Sequence, residues 1–246
     1  MKQNDRYRLF HSVFFPALFV TILWLVKICE YVFHLELYRY GVLPRSFEGM
    51  IGIFFAPLIH ADLWHLFSNS VPLLILGSAM FYYFKDLGYR VFFVVYLASG
   101  FWVWASAREV YHIGASGVVY GLASFLFVSG FIRQNSNLIA FSMFVAFFYG
   151  SMIWGVLPIE KGISWESHLM GAIAGLMAAF YYKKVGLQRE KYSWEINPLS
   201  DDEVDFDWSG NPTPEPPVPT ETPQNTIQIN YIYKPNSNPN EMNNSH

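Results

Sequence analysis

Six long apolar segments, separated by short charged or turn-rich stretches, set the pattern of residues 1–185. They run roughly over 9–29, 63–84, 91–107, 114–132, 138–157 and 165–182. Each is close to the ~17–25 residues a helix needs to cross a bilayer core. A spanning helix satisfies its own backbone hydrogen bonds, which lipid cannot do. The pattern therefore predicts an all-α, polytopic membrane protein built as a six-transmembrane-helix bundle. The first segment is too long, and its charges lie too late, for a cleaved signal peptide; it also lacks a convincing small-residue cleavage site. Segments two, four and six carry polar residues near their starts.

Composition sharpens the picture. Hydrophobic residues make up 53% of the 246, and charged residues only 14%, well below the roughly 25% of soluble domains. Residues 1–185 carry a net charge of +4 and residues 186–246 one of −7, and 9 of the 14 prolines fall in the second part. The chain thus divides into a membrane domain, 1–185, and an acidic Pro-rich tail, 186–246. The tail has too little apolar surface to offset the entropy of ordering and is expected to be disordered. A short alternating stretch, 227–233, is its one candidate for a strand or a docking peptide. One cysteine excludes a disulfide scaffold, and the lack of a basic excess excludes an electrostatic nucleic-acid binder. Cys29, being single, is expected to pack.

Orientation follows from Lys and Arg. Six spans put both termini on one side, with Lys2, Arg6, Arg8, Lys85, Arg90, Arg133, Lys183, Lys184, Arg189 and Lys191. The other side holds Arg39, Arg45, Arg108 and Lys161. Ten against four predicts cytoplasmic termini and a cytoplasmic tail. Even-numbered spans then start on the outer side. His60, His65 and Asn69, Ser116, and His168 would all lie in the outer half, on three different helices. Polar groups are costly in lipid and face a bundle interior or a water cavity, so one shared site is expected.

The chemistry of that site can be read from spacing. His65 and Asn69 are four apart and share a helical face. Gly114-Ala-Ser116-Gly117 opens the fourth span, with Tyr120 on the same face as Ser116. His168 precedes Gly171 and Gly175, a face of small residues that lets a second backbone approach closely. If that backbone is the fourth span, His168 reaches Ser116. A Ser hydroxyl is a weak nucleophile until a base takes its proton, and a neutral His does this and later protonates the leaving amine. Asn69, His65 and the Ser116 backbone N–H are candidate donors to the oxyanion. No buried carboxylate is evident beside His168, so the parts amount to a Ser–His dyad, with Tyr120 as a ring that can hold the imidazole. His60 and His65 are five apart with no Glu beside the first, so the HExxH zinc pattern is absent; no metal or cofactor is expected. His11, His34 and His112 read as interfacial, and His60 as a residue supporting the site. A transporter is disfavoured, because the polar layer is confined to one side and no inverted repeat is visible.

At this point the chain resembles the rhomboid family of intramembrane serine proteases. The matching stretches are His60-Ala-Asp-Leu-Trp-His65-Leu-Phe-Ser-Asn69, Gly114-Ala-Ser-Gly-Val-Val-Tyr-Gly121 and His168-Leu-Met-Gly-Ala-Ile-Ala-Gly175, in order over about residues 10–185. The resemblance implies Ser116 as nucleophile, His168 as general base, Asn69 with His65 as oxyanion hole, Tyr120 as the ring on the catalytic His, and Gly114 beside the nucleophile. It implies transmembrane protein substrates, with helix-weakening or small residues near the cut, in contact with membrane lipid. The fifth span, 138–157, is rich in Phe and poor in tight-packing motifs, which suits lateral entry past it, and the loop 158–165, with Gly162, is expected to act as a lid over His168. A bacterial plasma membrane is the default location. The family's Trp-Arg pair is missing from the first outer loop, which reads Glu48-Gly-Met-Ile-Gly-Ile-Phe-Phe. The alternative is an inactive rhomboid-like protein that escorts membrane proteins; retention of both Ser116 and His168 favours the enzyme.

Overall fold

The computed structural model describes residues 3–148 and 164–188. The tail beyond 188 with its stretch 227–233, residues 158–163 of the lid and residues 149–157 of the fifth span lie outside the described residues. Within them the chain is helical: α1 (Gln3–Phe33), a short α2 (Gly52–Phe55), α3 (Leu63–Phe84), α4 (Asp86–Ser106), α5 (Ser116–Arg133), α6 (Ser136–Phe148) and α7 (Trp165–Tyr181). Four of these, α1, α3, α4 and α5, are long and apolar enough to cross a membrane. The predicted second span coincides with α3. The first is longer than predicted, because the charged residues before position 9 continue the helix into α1.

Local signals explain the boundaries. Asp62 adopts extended backbone and its carboxylate accepts the His65 N–H at 2.8 Å, a side-chain cap that starts α3. That hydrogen bond holds the Asp62 carboxyl below its usual pKa. Pro16 and Pro72 lie inside α1 and α3; such residues persist in membrane helices when neighbours accommodate them. Here the Pro16 ring packs against the open face of Gly77.

The core is apolar and shared by several helices. Leu66, Leu73, Leu76 and Met80 of α3 meet Val91 and Val95 of α4, Val118, Leu122 and Phe125 of α5, and Ala174 and Ala178 of α7. The large residues left exposed, such as Phe10, Phe14, Leu18 and Leu25 on α1 and Phe93 and Phe101 on α4, are those lipid would cover. Cys29, expected to pack, is instead exposed on α1. The most extensive helix contact is between α5 and α7. At its far end the buried Arg133 donates to the carbonyls of Tyr182, Val185 and Leu187 at 2.7–2.8 Å, so a cation closes the C-terminus of α7.

The loop from α1 to α3 folds against the α4–α5 connection. Val42 and His112 exchange two backbone hydrogen bonds of 2.9 Å. Arg45 donates to the Ala107 carbonyl at 2.7 Å, and Trp104 Nε1 donates to the Ser46 carbonyl at 2.8 Å. Although the loop lacks an adjacent Trp-Arg pair, an arginine and a tryptophan from separate positions anchor it.

Candidate active site

The site is built where α3, α5 and α7 begin. Ser116 is the first residue of α5, and Ala115, at the N-cap, supplies no side-chain acceptor. The first N–H groups of a helix have no intrahelical partner, and the helix dipole favours negative charge there. The Ser116 hydroxyl therefore stands at a point suited to stabilising an anion.

The approach to Ser116 is tightly held. Gly114 has φ +110°, a conformation that side chains rarely adopt, and a Cβ there would sit 2.7 Å from His65 Cε1 and 2.8 Å from Nε2. Glycine thus permits both the turn and the close passage of the chain over the His65 ring. The Gly114 N–H donates to the Ala56 carbonyl at 2.9 Å. The Ala115 N–H donates to His60 Nε2 at 3.3 Å. His60 is 1% exposed, and its ring meets His65 edge-on at 5.0 Å. Burial, then the neighbouring His65, lowers the His60 pKa to about 3. The ring is therefore neutral at ordinary pH and keeps Nε2 as an acceptor. Lys27, from α1, donates to the His60 and Ala61 carbonyls at 2.8 and 3.0 Å and fixes this turn from behind.

Asn69 is buried nearly two turns into α3, and its Nδ2 donates to the His65 carbonyl at 3.0 Å. An amide nitrogen carries two hydrogens, so this bond orients the side chain and leaves a second N–H.

α7 brings His168 to the same place. Gly171 lies against the Gly117 backbone and Gly175 against Gly121, so the two small-residue faces read from sequence do meet. A Cβ on Gly117 would also sit 3.2 Å from the Ser167 carbonyl. The His168 imidazole stacks on the Tyr120 ring with centroids 4.2 Å apart and planes 8° from parallel. Tyr120 and His168 thus share the α5–α7 interface, with Ser116 directly before Gly117 on it; His60, His65 and Gly114 meet at the loop that leads into Ser116, and Asn69 is bonded to His65. A cavity of about 30 Å³ behind the loop, bordered by Ser99, Gly114, Gly117 and Ser167, has room for a water or two. Among the described residues no group of His, Cys, Asp or Glu could hold a metal ion.

His112, read as interfacial, is 2% exposed and bonded through both ring nitrogens. Its partners at the start of α7 were also missed. Ser164 and Glu166 look in the sequence like an ordinary local helix start, and nothing in their spacing points to a residue 52 positions earlier.

The rhomboid domain pattern matches residues 48–185. An uncharacterised protein of Mycobacterium bovis and one of Mycobacterium tuberculosis are each 34% identical over 172 residues, 66% of this chain and 71% of theirs. An uncharacterised protein of Mycobacterium leprae is 33% identical, covering 66% of this chain and 68% of its own. The match spans more than half of the chain and contains every helix of the site just described, and the protein belongs to the rhomboid family of integral membrane proteins.

Proposed function

We propose that the protein is an intramembrane serine endopeptidase that cleaves transmembrane segments of other membrane proteins. The observation that carries this reading is the shared α5–α7 interface: Ser116 at a helix start, His168 stacked on Tyr120, and glycine contacts that bring the two helices together. His168 takes the Ser116 proton as Oγ attacks the scissile carbonyl. The oxyanion receives the Ser116 backbone N–H, the second Asn69 Nδ2 hydrogen and the His65 ring. Losing one such donor typically costs about 10²–10³ in kcat. His168 passes the proton it took from Ser116 to the departing amine, and water then hydrolyses the acyl-enzyme. The distribution of Lys and Arg supports cytoplasmic termini and a site in the outer half of the bilayer, and the relatives support a bacterial plasma membrane.

The test is labelling by a fluorophosphonate together with cleavage of a single-span substrate in proteoliposomes. The expected result is adduct formation on Ser116 that vanishes in Ser116→Ala and His168→Ala. Cleavage is lost in parallel while both variants insert normally, and Asn69→Ala slows turnover with little effect on KM. Wild-type protein that neither labels nor cleaves, yet still retains membrane segments, would mark an inactive escort.

A further inference from the structure

Apart from the Tyr120–His168 stack, contacts of two kinds tie the helix that bears His168 to α5 and to the chain that leads into it. One is the glycine stripe. Glycine faces bring helices close but present no side-chain knobs, so by themselves they resist sliding and rotation weakly. The other contact is polar and lies at the start of α7. His112 Nε2 lies 3.0 Å from the Arg108 carbonyl, and its Nδ1 lies 2.6 Å from Ser164 Oγ. A carbonyl only accepts, so Nε2 carries the proton. In the neutral ring Nδ1 is then an acceptor and receives the Ser164 hydroxyl. Ser164 Oγ in turn lies 2.6 Å from Ser167 Oγ and accepts from it. Beside this chain, Arg108 Nε pairs with the buried Glu166 at 2.9 Å.

The geometry of Ser164 is telling. It occupies the N-cap of α7, where a serine normally accepts an N–H of its own helix, yet its side chain makes no such bond. The hydroxyl is given to His112 instead. The Ser164 carbonyl accepts the N–H groups of Ser167 and His168, at 3.1 and 3.4 Å, so Ser164 and His168 bound one helical turn. On the other side, His112 is pinned to Val42 through both backbone groups and stands four residues before Ser116.

We propose that His112 and Ser164, flanked by the Arg108–Glu166 ion pair, form a polar latch that positions the His168 turn against the loop carrying Ser116. This role rests on the proposed peptidase activity, and both residues act through the dyad without touching substrate. The latch adds a polar attachment at the start of α7 to the glycine stripe and the Tyr120–His168 stack further along it.

The test compares wild type, Ser164→Ala, Ser164→Thr, His112→Phe and the Ser164→Ala/His112→Phe double variant as full chains in proteoliposomes. Small displacements of a reacting group are costly, so Ser164→Ala is expected to lower kcat about tenfold, with KM within about twofold of wild type. Fluorophosphonate labelling of Ser116 should slow by the same factor. Ser164→Thr, which keeps the hydroxyl, should recover most of the rate. The double variant should be no slower than the worse single one, because both break one bond. Wild-type kcat in Ser164→Ala, or a threonine variant as slow as the alanine one, overturns the latch. Wild-type protein inert to both substrate and probe overturns the peptidase reading, and the positioning role falls with it.

Discussion

Replacing Gly171 with alanine perturbs the site through a single methyl group. That Cβ would sit 2.7 Å from the Gly117 carbonyl carbon, 2.9 Å from its Cα, and in outright overlap with its oxygen. Carbon atoms pack at roughly 3.5–4.0 Å, and all three opposing atoms are backbone, so no rotamer can relieve the clash. α7 must move off α5 by about 1 Å. Overpacking of this kind costs about 1–3 kcal/mol, while exchanging glycine for alanine inside a helix returns roughly 0.5–1 kcal/mol. The net loss is small enough for the protein to stay folded. Catalysis is less forgiving: His168 lies one turn from Gly171, and a misplacement near 1 Å costs about 10²-fold. The expected outcome is a kcat lowered about 10²-fold, with a modest fall in thermal midpoint. It is read by cleavage of a single-span substrate and by melting in the same detergent. Leu176→Ala, at an exposed position on α7, is the control and should behave like wild type. Gly175→Ala makes the same kind of clash with Gly121 one turn further from His168, and should destabilise similarly with a smaller loss of rate. A Gly171→Ala protein that cuts within threefold of wild type would refute the idea that this backbone contact sets the position of the histidine.

Two further outcomes test the approach to Ser116. Gly114→Ala combines a positive φ with a Cβ driven into the His65 ring, and strain of this sort costs of order 1–3 kcal/mol; labelling of Ser116 should be nearly lost, and normal labelling would refute the close passage over His65. Stability should also fall with acid. His60 has its pKa lowered by burial to about 3, and burial lowers that of His112 as well. The unfolded chain therefore binds more protons below about pH 6.5. Stability contributed by neutral His60 is complete above that value and is lost as pH falls toward 3, at about 1.4 kcal/mol per pH unit. A thermal midpoint that stays flat from pH 6.5 to 4.5 would refute the buried neutral imidazole, and His60→Gln should shallow the slope.

Much of this arrangement is legible in the chain because membrane physics narrows the choices. Apolar length predicts the spans, and the cost of polar groups in lipid makes each one a marker. The small-residue faces at Gly117–Gly121 and Gly171–Gly175 predict which helices touch, and they do. The Tyr120–His168 stack follows from that same contact, since both residues sit on the facing stripes. The boundaries were less legible. α1 begins earlier than its apolar stretch because Gln3, Arg6 and Arg8 are good helix formers although polar, and hydropathy reports where lipid lies rather than where a helix ends.

The residues that escaped reading share a different property. His112, Ser164, Glu166 and Arg108 lie outside the long apolar runs or at their edges, where a polar side chain looks natural and carries no penalty that flags it. Their contacts arise only from the folding of two connections, which buries His112 and Glu166 and leaves Arg108 at the surface. Cys29 is the converse: a residue type usually buried is exposed here, because the outward face of α1 has lipid, not protein, for a neighbour. A lone polar residue inside a span is informative because the solvent there is hostile to it. At the helix ends the solvent is permissive, and only coordinates separate a surface histidine from one that, like His112, sits four residues before Ser116 and is bonded to the turn that ends in His168.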